Sequence, residues 1–249
     1  MTSVWDRRIA RASELAKSLV AATDLLDLYG KLATFQKSIF EDLRATHETD
    51  PMAVAQYFPR WLVLVERCGP PVAAKYARDH LRNEAERESL LLAHWSHLSL
   101  DDGARFLARV LLQPFAEALA ARGNVTPNPA SGSCPFCGAR PVAAVLRGEG
   151  DGAKRSLVCS LCATEWEFRR ILCPHCGEQH KDQLPVYVAG EFDYVRVEAC
   201  DACRTYLKSI DLSRNGLAVP TVDELASVAL NVWAEEHGYA KLEPNLLGL

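Results

Sequence analysis

The sequence predicts an α+β protein in which an all-helical N-terminal domain precedes a small β domain of tandem metal-binding ribbons and a C-terminal helix. Three observations support this class. Apolar residues in the first half recur at helical spacing, eight cysteines form four Cys-x-x-Cys pairs in the second half, and short runs of β-forming residues separate those pairs. We place the helical domain at 1–123, a linker at 124–133, the tandem ribbons at 134–215, and the C-terminal helix and tail at 216–249.

The helical prediction for the first domain depends on the spacing of its apolar residues. One run of these residues advances at steps of three and four: Leu25, Leu28, Leu32, Phe35, Ile39 and Leu43. Because an α-helix turns once every ~3.6 residues, this spacing places their side chains on one face. The segment 124–133 is rich in glycine, proline, asparagine and serine, which is typical of a linker.

The paired cysteines are the most specific feature of the chain. They are Cys134, Cys137, Cys159, Cys162, Cys173, Cys176, Cys200 and Cys203. Two residues between cysteines let both thiolates of one turn face a single metal ion, and two such turns complete a tetrahedral four-sulfur shell. The eight cysteines therefore predict two metal sites, whereas Cys68 has no partner nearby in the sequence and is expected to be an ordinary buried thiol.

The cysteine region contains an internal duplication, with one unit at 134–171 and the other at 172–215. Matching cysteines are offset by 39 residues in the first turn of each unit and by 41 in the second. We expect each unit to form its own site, because sequential pairing keeps a duplicated unit self-contained; an interleaved arrangement is the alternative. Gly138 and Gly177 follow the second cysteine of their turns, where a positive φ directs N–H groups toward sulfur.

The residues between the cysteine turns favour β-strands. Runs rich in β-forming residues cover 140–146, 157–158, 165–171, 186–188 and 194–199. Each unit thus has the order turn, strand, strand, turn, which is typical of a rubredoxin-like or zinc-ribbon unit. Such a small unit buries little apolar surface, so metal binding is expected to supply folding free energy, on the order of 10 kcal/mol per site.

A helix is predicted to close the chain. It begins at Thr221, carries Leu225, Val228 and Val232 on its apolar stripe, and ends at Gly238. We expect this stripe to pack against the rest of the protein.

Composition and charge narrow the class of protein. Hydrophobic residues make up 49% of the chain and charged residues 24%, which is ordinary for a globular protein. The first residues lead into no apolar signal core, and no apolar run approaches the ~18 residues needed to span a bilayer. These observations predict a cytoplasmic protein without membrane insertion. In a reducing compartment, uniformly spaced cysteines favour metal over disulfides.

The predicted sites favour a structural or binding role over an enzymatic one. Four thiolates complete the coordination of a metal ion and leave no open position for a substrate. The sequence also contains no phosphate-binding glycine loop and no credible Ser-His-Asp arrangement. We therefore predict that the protein is not an enzyme.

Three binding functions are consistent with a double ribbon. Nucleic-acid binding is disfavoured, because the net charge is −4 and residues 130–215 hold eight Arg and three Lys against eleven acidic residues. Electron transfer is possible if the sites hold iron, since four thiolates suit iron as well as zinc. A protein-binding assembly factor is the third function, and spacing alone does not rank the last two.

The sequence resembles the formate dehydrogenase accessory protein family, FdhE. The similarity is carried by the segments Cys134-Pro-Phe-Cys137-Gly138-Ala-Arg-Pro141-Val142, Cys159-Ser-Leu-Cys162-Ala-Thr164-Glu165-Trp166, Arg196-Val-Glu198-Ala-Cys200, Cys203-Arg-Thr-Tyr206-Leu207-Lys208, Pro220-Thr-Val-Asp223-Glu-Leu225-Ala226 and Pro244-Asn245. The resemblance is firm from residue 134 to the end and looser over the helices.

The resemblance implies a cytoplasmic, non-enzymatic factor that is needed to make respiratory formate dehydrogenase active. Such a factor engages the catalytic subunit before export and holds iron in two rubredoxin-like sites. The eight paired cysteines would be the ligands of two metal ions, iron or zinc. Glu165, Trp166, Arg196 and Glu198 are candidate contacts to the partner, with support of the ribbon scaffold as their alternative role.

Overall fold

The structure, a computed structural model, describes residues 3–123, 126, 128–149 and 152–249. Asn124, Val125 and Pro127 of the predicted linker lie outside the described residues. The described chain begins with helices α1 (Val4–Ser18), α2 (Thr23–Thr46), α3 (Phe58–Cys68), α4 (Pro71–His80), α5 (Glu84–Trp95) and α6 (Asp102–Ala120). The predicted fold class is confirmed, with a helical first half, a sheet that carries the cysteine turns, and helices near the C-terminus.

Helix α6 is the centre of the helical half. Every residue from Phe106 to Ala118 is buried, so this helix contacts protein on all sides and its apolar residues are not confined to one stripe. Helix α2 packs against it with the predicted face, which includes the buried Leu32, Ile39 and Leu43. None of the helices in the described ranges is long and apolar enough to cross a membrane.

One mixed sheet contains all the strands of the described residues. These are β1 (Pro141–Glu149), β2 (Gly152–Cys159), β3 (Glu165–Glu167), β4 (Val186–Ala189), β5 (Phe192–Cys200), β6 (Thr205–Asp211) and β7 (Ala240–Lys241). Their order is β3-β2-β1-β6-β5-β4, and β7 also pairs with β6. Each duplicated unit therefore supplies three consecutive strands in the same relative order.

A parallel pairing between β1 and β6 joins the two units. Ala144 lies opposite Ser209 and Leu146 lies opposite Asp211, whereas the pairings within each unit are antiparallel. The largest hydrophobic core also crosses the predicted boundaries, since it includes Trp61 of the helices and Trp166 of the first ribbon. The domain limits remain a prediction, and the described contacts unite the predicted domains through a common core.

Strand β6 was not among the predicted strands. Its residues from Tyr206 to Asp211 are all buried, so the alternation of polar and apolar residues that marks a half-exposed strand is absent. The strand lies between β5 on one side and β1 and β7 on the other. Both faces are covered, and the polar residues Lys208 and Ser209 are fully buried within it.

The predicted C-terminal helix is two short helices, α7 (Pro220–Ala226) and α8 (Val228–Glu236), which meet at Ser227. Lys208 causes the break, because its Nζ donates to the carbonyl oxygens of Glu224 at 2.5 Å and Ser227 at 3.2 Å. The break also changes which face of α8 is buried. Leu230 packs inward, while Val232 of the predicted stripe is 53% exposed.

A buried charged network fixes α7 to the sheet. The Glu224 carboxylate accepts a hydrogen bond from Asn245 Nδ2 at 3.0 Å, pairs with Lys208 Nζ at 3.0 Å, and also contacts Lys241. Lys208 and Glu224 are both fully buried. Although burial raises the pKa of Glu224, the two ammonium groups and the amide lower it to about 2. A neighbouring pair, Arg11 and Asp223 at 2.6 Å, attaches α7 to α1.

The stabilisation from Glu224 is expected to disappear in acid. Its pKa falls from an unfolded value of ~4.3 to about 2 in the folded protein, so the contribution is present above the unfolded value and is lost as pH falls toward the folded one. The difference in free energy of unfolding between wild type and Glu224→Gln should therefore shrink between about pH 5 and about pH 2. Urea titrations of both proteins at each pH measure this difference. Protons also compete with metal for the cysteines, but this effect is common to both proteins and cancels in the difference. A constant difference over that range would contradict the assignment.

Candidate metal centres

The first cysteine cluster joins the two turns of the first unit. Its four Sγ atoms, from Cys134, Cys137, Cys159 and Cys162, lie within 4.8 Å of one another. Across the two turns, the Sγ atoms of Cys134 and Cys162 are 3.5 Å apart and those of Cys137 and Cys159 are 3.3 Å apart. Cys137 is half-buried and the other three are buried. The cluster therefore lies beneath the surface.

The second cluster has the same construction and greater exposure. The Sγ atoms of Cys173, Cys176, Cys200 and Cys203 also lie within 4.8 Å of one another. Cys173 faces Cys203 at 3.7 Å, and Cys176 faces Cys200 at 3.7 Å. Cys176 is exposed and Cys203 is half-buried. The structure thus brings the cysteines together by sequential pairing, one cluster in each unit.

These separations fit a tetrahedral four-thiolate metal site. A metal–sulfur distance of ~2.3 Å in a tetrahedron puts the sulfur atoms ~3.8 Å apart, whereas a disulfide would put them ~2.05 Å apart. All nine cysteines are free, and Cys68 is half-buried rather than buried as the sequence predicts. Burial raises the pKa of the Cys200 thiol, so a bound cation is needed to hold it as a thiolate at neutral pH. The two clusters could therefore hold two metal ions.

The backbone of the cysteine turns is shaped to support sulfur. The N–H groups of Phe136, Leu161 and His175 each donate to the Sγ two residues earlier, at 3.4, 3.3 and 3.4 Å. Such bonds stabilise negative charge on a thiolate. Gly138 and Gly177 have φ values of 77° and 79°, as the sequence predicts. The equivalent positions in the other two turns are occupied by Ala163 and Arg204.

Ala163 and Arg204 take the left-handed conformation that glycine takes in the other two turns. Their φ values are 53° and 57°, although this region is unfavourable for residues with a Cβ atom. Arg204 has a compensating role, because its guanidinium donates to the carbonyl oxygen of His237 at 2.6 Å. The turn geometry is thus common to all four cysteine pairs despite the different residues.

Two equivalent threonines contact the clusters, which sequence reasoning did not assign to the sites. Thr164 Oγ1 lies 3.0 Å from Cys162 Sγ, and Thr205 Oγ1 lies 3.0 Å from Cys203 Sγ. When the cysteine is a thiolate, the threonine hydroxyl is the donor of this bond. The signal was present in the repeat, since both threonines stand two residues after the last cysteine of their unit.

Replacing Thr205 by valine is expected to weaken metal binding at the second cluster about tenfold, because the variant keeps the side-chain shape and removes the donor to sulfur. Competition with a chromogenic chelator measures the affinity of each site. Thr221→Val is a matched control, since this threonine lies outside both clusters. Equal chelator sensitivity in wild type and Thr205→Val would show that the hydroxyl contributes nothing.

The first cluster is attached to the helical half through both of its turns. His97 Nε2 lies 2.9 Å from the carbonyl oxygen of Cys137, and Arg109 Nη2 donates to the carbonyl oxygen of Ser160 at 2.8 Å. His97 has a left-handed φ of 57° just after α5, which ends that helix. Helices α5 and α6 thus hold one turn each.

The second cluster is attached to the C-terminal segment instead. Arg204 bonds to the end of α8, and Tyr239 Oη donates to Asp201 Oδ1 at 2.5 Å. The Arg204 guanidinium also lies 4.0 Å from the centre of the Tyr239 ring. The two clusters are therefore held by different parts of the chain.

The four candidate partner contacts lie in and around the sheet. Trp166 is 2% exposed and its Nε1 donates to the carbonyl oxygen of Ser131 at 3.0 Å. Glu165 pairs with Arg147 near the surface. Two further ion pairs join Arg196 to Asp211 at 2.5 Å and Glu198 to Arg155 at 2.7 Å. These placements favour support of the scaffold, while a contact role stays a prediction.

A helical domain fused to a sheet with two four-cysteine clusters defines a class of double-ribbon proteins with two candidate metal centres. Comparison with known proteins gives the family. The description "FdhE, central domain" matches residues 133–170, and "FdhE, C-terminal domain" matches residues 171–247. A protein FdhE homolog of Aquifex aeolicus is 34% identical over 197 residues, which cover 78% of this chain and 69% of that protein. The chain belongs to the FdhE family.

Two further similarities extend over nearly the whole chain. A protein FdhE homolog of Pectobacterium carotovorum is 27% identical over 259 aligned residues, covering 96% of this chain and 83% of that protein. The crystal structure of the FdhE protein from Pseudomonas aeruginosa matches with a TM-score of 0.72 at 26% identity, over 99% of this chain and 96% of that one. The helical half therefore shares the family fold, although its sequence motifs are weaker.

Proposed function

We propose that the protein is a cytoplasmic, non-enzymatic accessory factor that engages the catalytic subunit of formate dehydrogenase, with a metal ion bound by the four cysteines of each cluster. The observation that carries the proposal is the pair of four-cysteine clusters on an FdhE-family fold. Eight free thiols in two clusters suit a reducing compartment. Membership of the FdhE family, together with the resemblance to formate dehydrogenase accessory proteins, supports formate dehydrogenase as the enzyme served.

The geometry of the clusters supports a non-enzymatic role. Four sulfur ligands complete the coordination of iron or zinc, so a loaded site has no position for a substrate or an activated water molecule. The metal would instead fix the two turns of each unit and shape the protein surface around them. The chemistry of the accessory role is then recognition of another protein rather than turnover.

Binding to the purified catalytic subunit tests the proposal directly. We expect the metal-loaded protein to form a complex with that subunit in size-exclusion chromatography and to show no formate oxidation by itself. Cys68→Ser should bind the subunit as the wild-type protein does, because this cysteine lies outside both clusters. Failure of the loaded wild-type protein to bind, or capture of nucleic acid in its place from cell extract, would overturn the proposal.

Electron transfer is a second candidate function, favoured by the exposure of Cys176 at the second cluster. Ligand sulfur near the surface shortens the path from the metal to a redox partner. This function requires iron, since zinc has no redox chemistry. An absorption spectrum distinguishes the two metals. A coloured ferric protein that dithionite bleaches reversibly would support electron transfer, and a colourless zinc protein would exclude it.

A further inference from the structure

A groove of about 580 Å³ runs along the junction of the helical half, the first cluster and the C-terminal tail. One wall is the segment after α5, which carries His97 and Leu98; another includes Gly138, next to the first cysteine turn; and Glu243 of the tail borders the third side. The groove therefore lies where three distant segments of the chain meet.

The groove carries an excess of positive charge. Three arginines line it, Arg105, Arg109 and Arg140, against the single carboxylate of Glu243. Arg105 pairs with the exposed Asp102 at 3.5 Å. Among the described residues, neither Arg109 nor Arg140 has a carboxylate within ion-pair distance.

Arg109 is the unusual member of this set. It is only 4% exposed, and its guanidinium donates to the carbonyl oxygens of Pro244, Asn245 and Ser160 at 2.8, 2.9 and 2.8 Å. Its Nε has no hydrogen-bond partner in the described structure. Burial lowers the pKa of Arg109 more than the nearby Glu243 carboxylate raises it, so the guanidinium is an incompletely neutralised buried cation at the groove.

His94 also lines the groove, and its ring is mostly buried. Burial and the charges of Arg109, His97 and Arg105 lower the pKa of its ring to about 4. The ring is therefore neutral near pH 7 and adds no positive charge to the groove. An exposed apolar side chain, Leu98 at 63%, stands at the edge.

We propose that this groove is the docking site for an acidic segment of the protein partner, with carboxylates facing Arg105 and Arg140 and an apolar side chain on Leu98. The proposal deepens the proposed function and rests on it. Charge complementarity favours an acidic segment, because guanidinium groups bind carboxylates through pairs of hydrogen bonds. Arg109 adds to the positive potential beneath Arg105 and Arg140.

The first cluster holds one wall of this groove in place. His97 contacts the carbonyl oxygen of Cys137, and Arg109 donates to that of Ser160, so both cysteine turns are bonded to groove residues. A metal at the first cluster therefore fixes the docking surface, whereas the second cluster has no such contacts within the described residues. Loss of metal from the first cluster should weaken the partner complex more than loss from the second.

Charge reversal in the groove tests the proposal. In a titration of the metal-loaded full-length protein with the formate dehydrogenase catalytic subunit, Arg105→Glu/Arg140→Glu is expected to raise the Kd at least about tenfold at low salt. Arg7→Glu is the matched control, since Arg7 is exposed on α1 away from the groove, and its Kd should stay within about twofold. A glutamate-rich peptide containing leucine should compete with the subunit for wild type.

Circular dichroism and metal analysis establish that the variants are folded and loaded. Should the double variant fail to fold, the single variant Arg140→Gln removes one exposed charge and is expected to raise the Kd about threefold. If the wild-type protein binds the subunit and both groove variants bind equally well, the docking site is wrong and the proposed function stands. If wild type itself does not bind, the proposed function fails, and the docking site fails with it.

Discussion

Replacing Cys159 by serine is expected to remove one of two bound metal ions and to destabilise the helical half as well as the ribbon. The reason is the position of the first cluster: Cys134, Cys159 and Cys162 belong to the main hydrophobic core, which also contains helix residues. A metal that fixes these three cysteines also stabilises the helices that share this core with them. We expect the free energy of unfolding to fall by about 5 kcal/mol or more.

Metal analysis and urea unfolding measure this effect, and Cys176→Ser provides the contrast. Cys176 is exposed, and none of the second-cluster cysteines belongs to the hydrophobic clusters of the described residues. That variant should also lose one metal, with a smaller change in stability confined to the second unit and α8. Cys68→Ser should retain both metals. Retention of two metals by Cys159→Ser would contradict the ligand assignment.

Replacing Glu224 by glutamine is expected to cost about 3–5 kcal/mol at pH 7, because the change leaves buried ammonium groups without their carboxylate. Lys208 is fully buried, and Lys241 is 7% exposed. Lys208 cannot reach water without opening the contact between α7 and the sheet. Glutamine keeps the size of the side chain, so the loss measures charge rather than packing.

Urea denaturation at neutral pH gives this value, and Glu236→Gln is the control. Glu236 is exposed on α8, so its neutralisation should change the free energy of unfolding by less than about 0.5 kcal/mol. A loss in Glu224→Gln no larger than in this control would mean that the network contributes nothing net. Hydrogen exchange would locate the weakened region, which we expect at α7 and β6.

The fold class and both clusters could be predicted from the sequence because their signals are local. A Cys-x-x-Cys turn is complete within four residues, and the internal duplication indicates which turns share a metal site. The same is true of the face of α2 that carries Leu32 and Ile39. Where a structure depends on residues that are neighbours in the chain, the pattern of residue types is enough.

The remaining features depend on contacts between distant residues. Strand β6 lacks the usual alternation since both of its faces are covered, and Ser227 interrupts a helical pattern because Lys208 takes the carbonyl groups that would continue the helix. Likewise, nothing near Arg109 or His97 in the sequence shows that they hold the cysteine turns. In these features, tertiary contacts override or go beyond what the local sequence pattern indicates.

The parallel pairing of β1 with β6 has a consequence for synthesis of the protein. Ser209, which lies opposite Ala144, leaves the ribosome roughly 65 residues later, and at about 5–20 residues per second that is a delay of several seconds. During this interval β1 lacks its neighbour on the β6 side, whereas both cysteine turns of its own unit emerge early in the interval. Capture of metal by the first unit would order its two cysteine turns, but the β6 side of β1 stays open to other nascent chains until β6 emerges. The rate of translation between the two units thus becomes a determinant of how much chain reaches the folded state.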